Sequence, residues 1–123
     1  LGGIIIGDYT QVGPHVGIHS NNHDVYENRR DVPNPVKIGA YCWLGMGAQI
    51  LAGVELGDFT IVGAGAIVTK SFAKGYCVIA GNPAKVIREL DPERCVRYES
   101  EHRYHGFIPD SEFERFRRER LLI

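Results

Sequence analysis

VKIGAYCWLGMGAQILAGVELGDFTIVGAGAIVTKSF, residues 36–72, carries an aliphatic residue every six positions: Ile38, Leu44, Ile50, Leu56, Val62 and Val68. The same beat runs earlier through Ile6, Val12 and Ile18. Gly follows the aliphatic residue as Gly7, Gly13, Gly39, Gly45, Gly57 and Gly63, and a smaller residue recurs at the fifth place as Thr10, Val16, Ala48, Thr60 and Ala66. A period of six is neither that of a helix nor that of a lone strand, so the chain reads as an internal repeat. Three hexads closing one coil of about eighteen residues, stacked at about 4.8 Å, make a parallel β-helix of triangular section with its aliphatic residues in inward columns. Gly beside each aliphatic residue is expected where a corner turns sharply. Amphipathic helices would need apolar residues at i, i+3, i+4 and i+7, and the Gly density would cost them too much stability.

Composition narrows the function classes. A chain of 123 residues with 44% hydrophobic and 24% charged residues is ordinary for one globular domain. A formal charge of -1 offers no electrostatic case for nucleic acid or an anionic membrane. LGGIII at the start is too short for a membrane span or a signal segment. Cys42, Cys77 and Cys95 form no CxxC and cannot all pair, which argues against a disulfide framework and for the cytoplasm. Cys42 falls at the small inward place of its hexad and reads as buried filler. The chain opens at Leu1, directly inside the repeat, and an open coil end exposes unpaired backbone and an aliphatic column. Residues upstream are therefore expected.

The repeat resumes at Ile38, twenty residues after Ile18, which makes residues 19–37 an insertion. Asn21, Asn22, Asp24, Asn28, Asp31, Pro33, Asn34 and Pro35 give it the composition of a turn-rich loop. A loop pinned to a rigid scaffold is where binding and catalytic residues concentrate.

The hexads IGDYTQVGPHVGI (6–18), the loop with NNHD (21–24), the return over residues 36–72 and the closing IAGNPAKVIREL (79–90) together resemble the hexapeptide-repeat acyltransferases. They are most similar to the galactoside, maltose and nodulation-sugar O-acetyltransferases, with the xenobiotic acetyltransferases next. The resemblance covers roughly residues 4–90. It implies an all-β solenoid, a left-handed parallel β-helix, although parallel crossovers are otherwise strongly right-handed. It also implies a homotrimer, with acetyl-CoA and a sugar or glycan-precursor acceptor meeting between subunits, and no metal. The expected organisation is a β-helix over residues 1–82 with the 19–37 loop, then a short helical C-terminal extension over 83–123.

Transfer of an acetyl group to a hydroxyl needs a base for the hydroxyl proton and donors for the developing oxyanion. Histidine suits the first task near neutral pH. His102 and His105 lie in a charged tail, and His15 at an outward place of its hexad. His23 aligns without gaps from Ile6 with the catalytic histidine of the sugar acetyltransferases, and the resemblance makes it the base. Asp24, where those enzymes usually have Pro, is either an orienting carboxylate or a turn residue. His19, Asn21 and Asp24 fall on the acceptor side.

The same resemblance carries the donor side. Trp43 matches a position along the pantetheine arm, the alternative being a Trp that covers a flat β-face between subunits. Gly45 and Met46 match the coil passing the thioester, where a backbone N–H could serve the oxyanion; a polar side chain common at the second position is missing. Ala64, Thr69 and Lys70 match positions along the CoA chain. Lys85 and Arg88 match the segment near its nucleotide end, and are read at helical spacing after Pro83.

Residues 91–123 have a different character. Asp91-Pro92-Glu93 reads as a helix start, YHGFIP (104–109) as a turn, and Ser111 with Glu114 as a capping box, with Phe113, Phe116 and Leu121 inward. Arg115, Arg117, Arg118 and Arg120, interleaved with Glu112, Glu114 and Glu119, read as a solvated helix face. Two other classes fit the repeat less well: a metal protein resembling the γ-type carbonic anhydrases, using His15, His19 and His23, and a non-catalytic scaffold.

Overall fold

A computed structural model describes residues 2–99 and 110–121. The strands are short and follow the hexads: β1 (Ile4–Ile6), β2 (Gln11–Val12), β3 (Gly17–Ile18), β4 (Asn21–His23), β5 (Asp31–Pro33), β6 (Val36–Ile38), β7 (Trp43–Leu44), β8 (Gln49–Ile50), β9 (Glu55–Leu56), β10 (Thr60–Val62), β11 (Ile67–Val68), β12 (Cys77–Gly81) and β13 (Ala84–Glu89). Successive strands move from sheet to sheet, giving three parallel stacks: β1-β6-β9, β2-β7-β10-β12 and β3-β8-β11. This is a three-sided coil. Its register puts the aliphatic residues in columns: Ile6–Ile38–Leu56, Val12–Leu44–Val62–Ile79 and Ile18–Ile50–Val68.

From Ile38 onward every member of those columns is buried, together with Ala48, Thr60 and Ala66 at the small places. Each buried aliphatic side chain is worth about 2 kcal/mol. Ile6 and Val12, in the first coil, remain 43% and 49% exposed, since the described chain covers them from one side only. The buried polar Thr60 donates its hydroxyl to the Gly57 carbonyl at 2.7 Å within its own coil, whereas Thr10 donates to the Gly39 carbonyl and so ties two neighbouring coils.

The repeat glycines act differently from expectation. They are not where the backbone turns. A Cβ on Gly39 would lie 2.6 Å from the Asp58 nitrogen, and one on Gly45 would lie 2.6 Å from the Val62 carbonyl oxygen. Gly is required there because the next coil's backbone passes at van der Waals distance. The left-handed backbone occurs two residues later, at His15, Gly47, Gly65 and the aromatic residues Tyr9, Tyr41 and Phe59, and again at Tyr76, with φ of 50° to 58° for Tyr9, Tyr41, Phe59 and Tyr76. Such angles cost a non-Gly residue about 1–2 kcal/mol. Stacking offsets it: the four rings form a ladder up one corner with centroid spacings of 5.1, 5.0 and 5.4 Å. The segment after β13 straps this corner. Tyr98 meets Tyr9 and Tyr41 edge-on, and the Tyr41 hydroxyl donates to the Tyr98 carbonyl. Arg97 lies over Tyr41 and Phe59 while pairing with Asp58 at 2.9 Å.

The C-terminal part departs from the helical expectation. Ala84–Glu89 is β13, antiparallel to β12, with a cis peptide at Asn82–Pro83 forming the turn. The β12 edge offered ladder partners that a helix would have left unmet. Asp91 caps only a 3-10 turn at Pro92–Arg94. The helix α1 (Asp110–Phe116) already contains Ser111, so no capping box forms; Glu114 pairs with Arg117 instead, and the last turns, Arg117–Leu121, are π-helical. Phe113 and Phe116 are exposed at 43% and 47%, not inward. The expected turn at 104–109 and both His102 and His105 lie outside the described residues.

Candidate active site

Ile6 pairs with Ile38, thirty-two positions on, whereas Ile38 pairs with Leu56 eighteen on. The surplus is a projecting hairpin, β4 against β5, with Asn21 opposite Pro33, Asn22 opposite Val32 and His23 opposite Asp31. Its base is closed by the Ser20 carbonyl, which accepts from both Gly2 and Asn34. The excursion is thus narrower than 19–37: His19 and Val36–Ile38 already belong to the coil.

Asp24 Oδ1 accepts from the Tyr26 and Glu27 amides at 2.8 and 3.1 Å, so Asp24 is the turn residue of this tip rather than a partner of His23. The carboxylate beside His23 is Asp31, with Oδ1 at 3.5 Å from Nδ1. Asn21 Nδ2 donates to the same Oδ1 at 2.9 Å, while Asn21 Oδ1 is buried without a partner among the described residues. His19 Nε2 meets Gln49 Oε1 at 2.9 Å, a contact to the coil that leaves His19 apart from His23. Among the described residues no three His, Cys, Asp or Glu side chains converge as a metal-ligand group.

The donor-side residues fall on other surfaces. Trp43 is 55% exposed on the outer side of the second sheet, where the register continues through Ile61 and Val78 to Arg88. Lys85, opposite Ala80, stands on the same added strand. Both cations are therefore strand residues on a sheet face, which corrects the helical spacing expected for them. Met46 and Ala64 are exposed one coil apart, with Gly45 buried beneath and the Gly65 amide donating to the Met46 carbonyl at 2.8 Å. Thr69 and Lys70 follow β11, and Lys70 Nζ lies 5.5 Å from the Phe72 ring centre.

Topology separates the hairpin from Trp43, Lys85 and Arg88 within one chain, whereas Thr69 and Lys70, after β11, stand at the same corner of the coil as the hairpin. The hairpin leaves at the corner joining the third sheet to the first, opposite the second sheet with Trp43 and Arg88. The described cavities do not include His23: the grooves are lined by Lys37, Glu55, Asp58 and Tyr76, by Phe72 and Val86, or by the C-terminal helix.

Residues 35–70 match the family model for bacterial transferase hexapeptide (six repeats). Together with the eighteen-residue register, this identifies the coil as a hexapeptide repeat of the bacterial transferase type. The chain is similar to hexapeptide-repeat acetyltransferases. It is 36% identical over 92 residues to the galactoside O-acetyltransferase of Escherichia coli, covering 72% of this chain and 45% of that protein. Its structure is similar to a maltose O-acetyltransferase from Clostridium difficile, with TM-score 0.67, 36% identity, and coverage of 72% of this chain and 49% of that one. It is similar also to a galactoside acetyltransferase in complex with coenzyme A, with TM-score 0.68, 33% identity, and coverage of 83% and 52%. This hexapeptide-repeat chain spans about half the length of the curated relatives it matches. Among the described residues no helix is long and apolar enough to cross a membrane.

Asp31 and the aromatic corner were not singled out from sequence. Asp31 looked like one more loop residue, because its partner is fixed by hairpin register. The ladder did leave a signal: Tyr9, Tyr41 and Phe59 each stand three places after the inward aliphatic residue.

Proposed function

We propose that this chain is the coil portion of an acetyl-CoA-dependent O-acetyltransferase that esterifies a hydroxyl of a sugar or glycan precursor. The observation that carries the reading is the rigid coil carrying a projecting hairpin with His23 beside a carboxylate, on a chain similar to galactoside and maltose O-acetyltransferases. His23 takes the acceptor's hydroxyl proton as its oxygen bonds to the thioester carbonyl carbon. Collapse of the tetrahedral intermediate breaks the C–S bond, and the proton passes from the imidazolium to the departing thiolate, leaving an acetyl ester and free thiol. No covalent acyl-enzyme is needed.

On the donor side, the outward row from Trp43 to Arg88 crosses three strand spacings, about 14 Å. This is a track for an extended pantetheine arm, with Trp43 along it and Lys85 and Arg88 at the phosphate end. Gly45, Met46 and Ala64 border the thioester, where a backbone N–H would meet the oxyanion; Thr69 and Lys70 flank the CoA chain. His19, Asn21 and Asp24 serve the acceptor side, Asp24 through the shape of the turn.

Because the hairpin and the row from Trp43 to Arg88 lie on different sides of one chain, we assign a site assembled between subunits. A homotrimer is the closed arrangement we assign, with a left-handed coil sense as in the similar solved structures and a cytoplasmic location. An antibiotic hydroxyl is the second acceptor class, and a non-catalytic scaffold the alternative of another kind. Thiol release from acetyl-CoA with methyl β-galactoside, maltose and antibiotic acceptors tests the reading: acceptor-dependent release supports it, and no release with any acceptor counts against it.

A further inference from the structure

The geometry points to Asp31 as the positioning residue for His23, holding the imidazole with its hydrogen on Nδ1 so that Nε2 is the free proton acceptor. This rests on the reading of His23 as the base. Position 31 lies directly across the β4–β5 ladder from position 23, with Oδ1 3.5 Å from Nδ1. The carboxylate is itself held, because Asn21 donates to the same Oδ1 at 2.9 Å. Asn21 and His23 are two apart on one strand and so present to one face, where Asp31 meets both.

The other carboxylates of the hairpin are engaged elsewhere. Asp24 accepts from two turn amides, and Glu27 pairs with Arg29 at 3.6 Å. Arg30 contributes its carbonyl to the Asp24 amide, which fixes the turn and with it the register that sets His23 against Asp31. A neutral imidazole has a single N–H, and an acceptor held at one ring nitrogen decides which nitrogen carries it. With side chains 63% and 48% exposed, solvent screens the charges of the pair, so orientation is the effect assigned to Asp31.

The test is imidazole 15N spectroscopy of wild type, Asp31→Ala and Asp31→Asn, run beside kcat and KM for acetyl-CoA on the full-length protein with methyl β-galactoside and maltose as acceptors. We expect a wild-type spectrum with hydrogen on Nδ1 and a shift toward hydrogen on Nε2 in Asp31→Ala. The accompanying loss in kcat is about tenfold to a hundredfold, with KM for acetyl-CoA unchanged. Asp31→Asn keeps an oxygen acceptor and a partner for Asn21, so it retains the hairpin and loses less. A wild-type spectrum with hydrogen on Nε2, or an Asp31→Ala spectrum identical to wild type, overturns the proposal. Should His23→Ala abolish turnover while both Asp31 variants retain it, the base assignment stands and positioning alone fails. Wild-type turnover in His23→Ala would instead remove the base assignment beneath it.

Discussion

Replacing Gly45 and Gly47 by Ala separates two roles that glycine plays in this coil. A Cβ at Gly45 would lie 2.6 Å from the Val62 carbonyl oxygen and 2.7 Å from the Ala64 nitrogen, about 0.8 Å inside ordinary contact. Both obstacles are backbone of the next coil, fixed by ladder hydrogen bonds, so the coils must part locally. Overpacking of this kind costs about 1–3 kcal/mol in a compact core and more where the neighbour cannot yield, so we expect about 3 kcal/mol. At Gly47 φ is +71° and nothing lies within 4 Å of an added Cβ. There the cost is the left-handed angle alone, about 1 kcal/mol, and Gly47→Asn should recover most of it. At about 4 °C per kcal/mol, thermal unfolding should show a drop of roughly 12 °C for Gly45→Ala against roughly 4 °C for Gly47→Ala. Equal drops, or a larger one at Gly47, would refute coil approach as the reason for the repeat glycine.

Other consequences are open to direct measurement. The Arg97 hydrogen bond, helped by the Ala40 amide, holds the Asp58 carboxyl below its usual range. A depressed folded value means the pair stabilises above about pH 4 and is lost as pH falls through it. The Tm gap between wild type and Arg97→Ala should therefore narrow below about pH 4, and a gap that widens there contradicts the pairing. Burial pushes the Cys42 and Cys77 thiols up, so both should react slowly with a thiol reagent in the folded protein, after the half-buried Cys95; prompt labelling of Cys42 would contradict its inward place. Lys85→Ala and Arg88→Ala should each weaken CoA binding about tenfold in a salt-dependent manner by calorimetry, and unchanged affinity in both would move the phosphate end elsewhere.

How much of this could be read from sequence follows from the range of each interaction. The inward columns were legible because one period sets them, and the buried run from Ile38 to Val68 follows it residue by residue. The hairpin was legible only as an interruption. Its register, and with it the contact between His23 and Asp31, depends on which residues pair across a turn that Asp24 closes. Residues 83–90 misled because Pro83 followed by two cations three apart suits a helix start. The free edge of β12 recruited them as a strand, a tertiary demand that local propensity does not carry. The aromatic corner was obscured by convention: an aromatic residue at a left-handed position is costly alone and acceptable only when a neighbour one coil away stacks on it.

The most direct test of the central claim is acetyl-CoA binding by calorimetry beside acceptor-dependent thiol release, for wild type and His23→Ala. The account predicts that both proteins bind the donor with similar affinity and that only wild type turns over. Absence of binding in both, or wild-type turnover without the His23 imidazole, would contradict it.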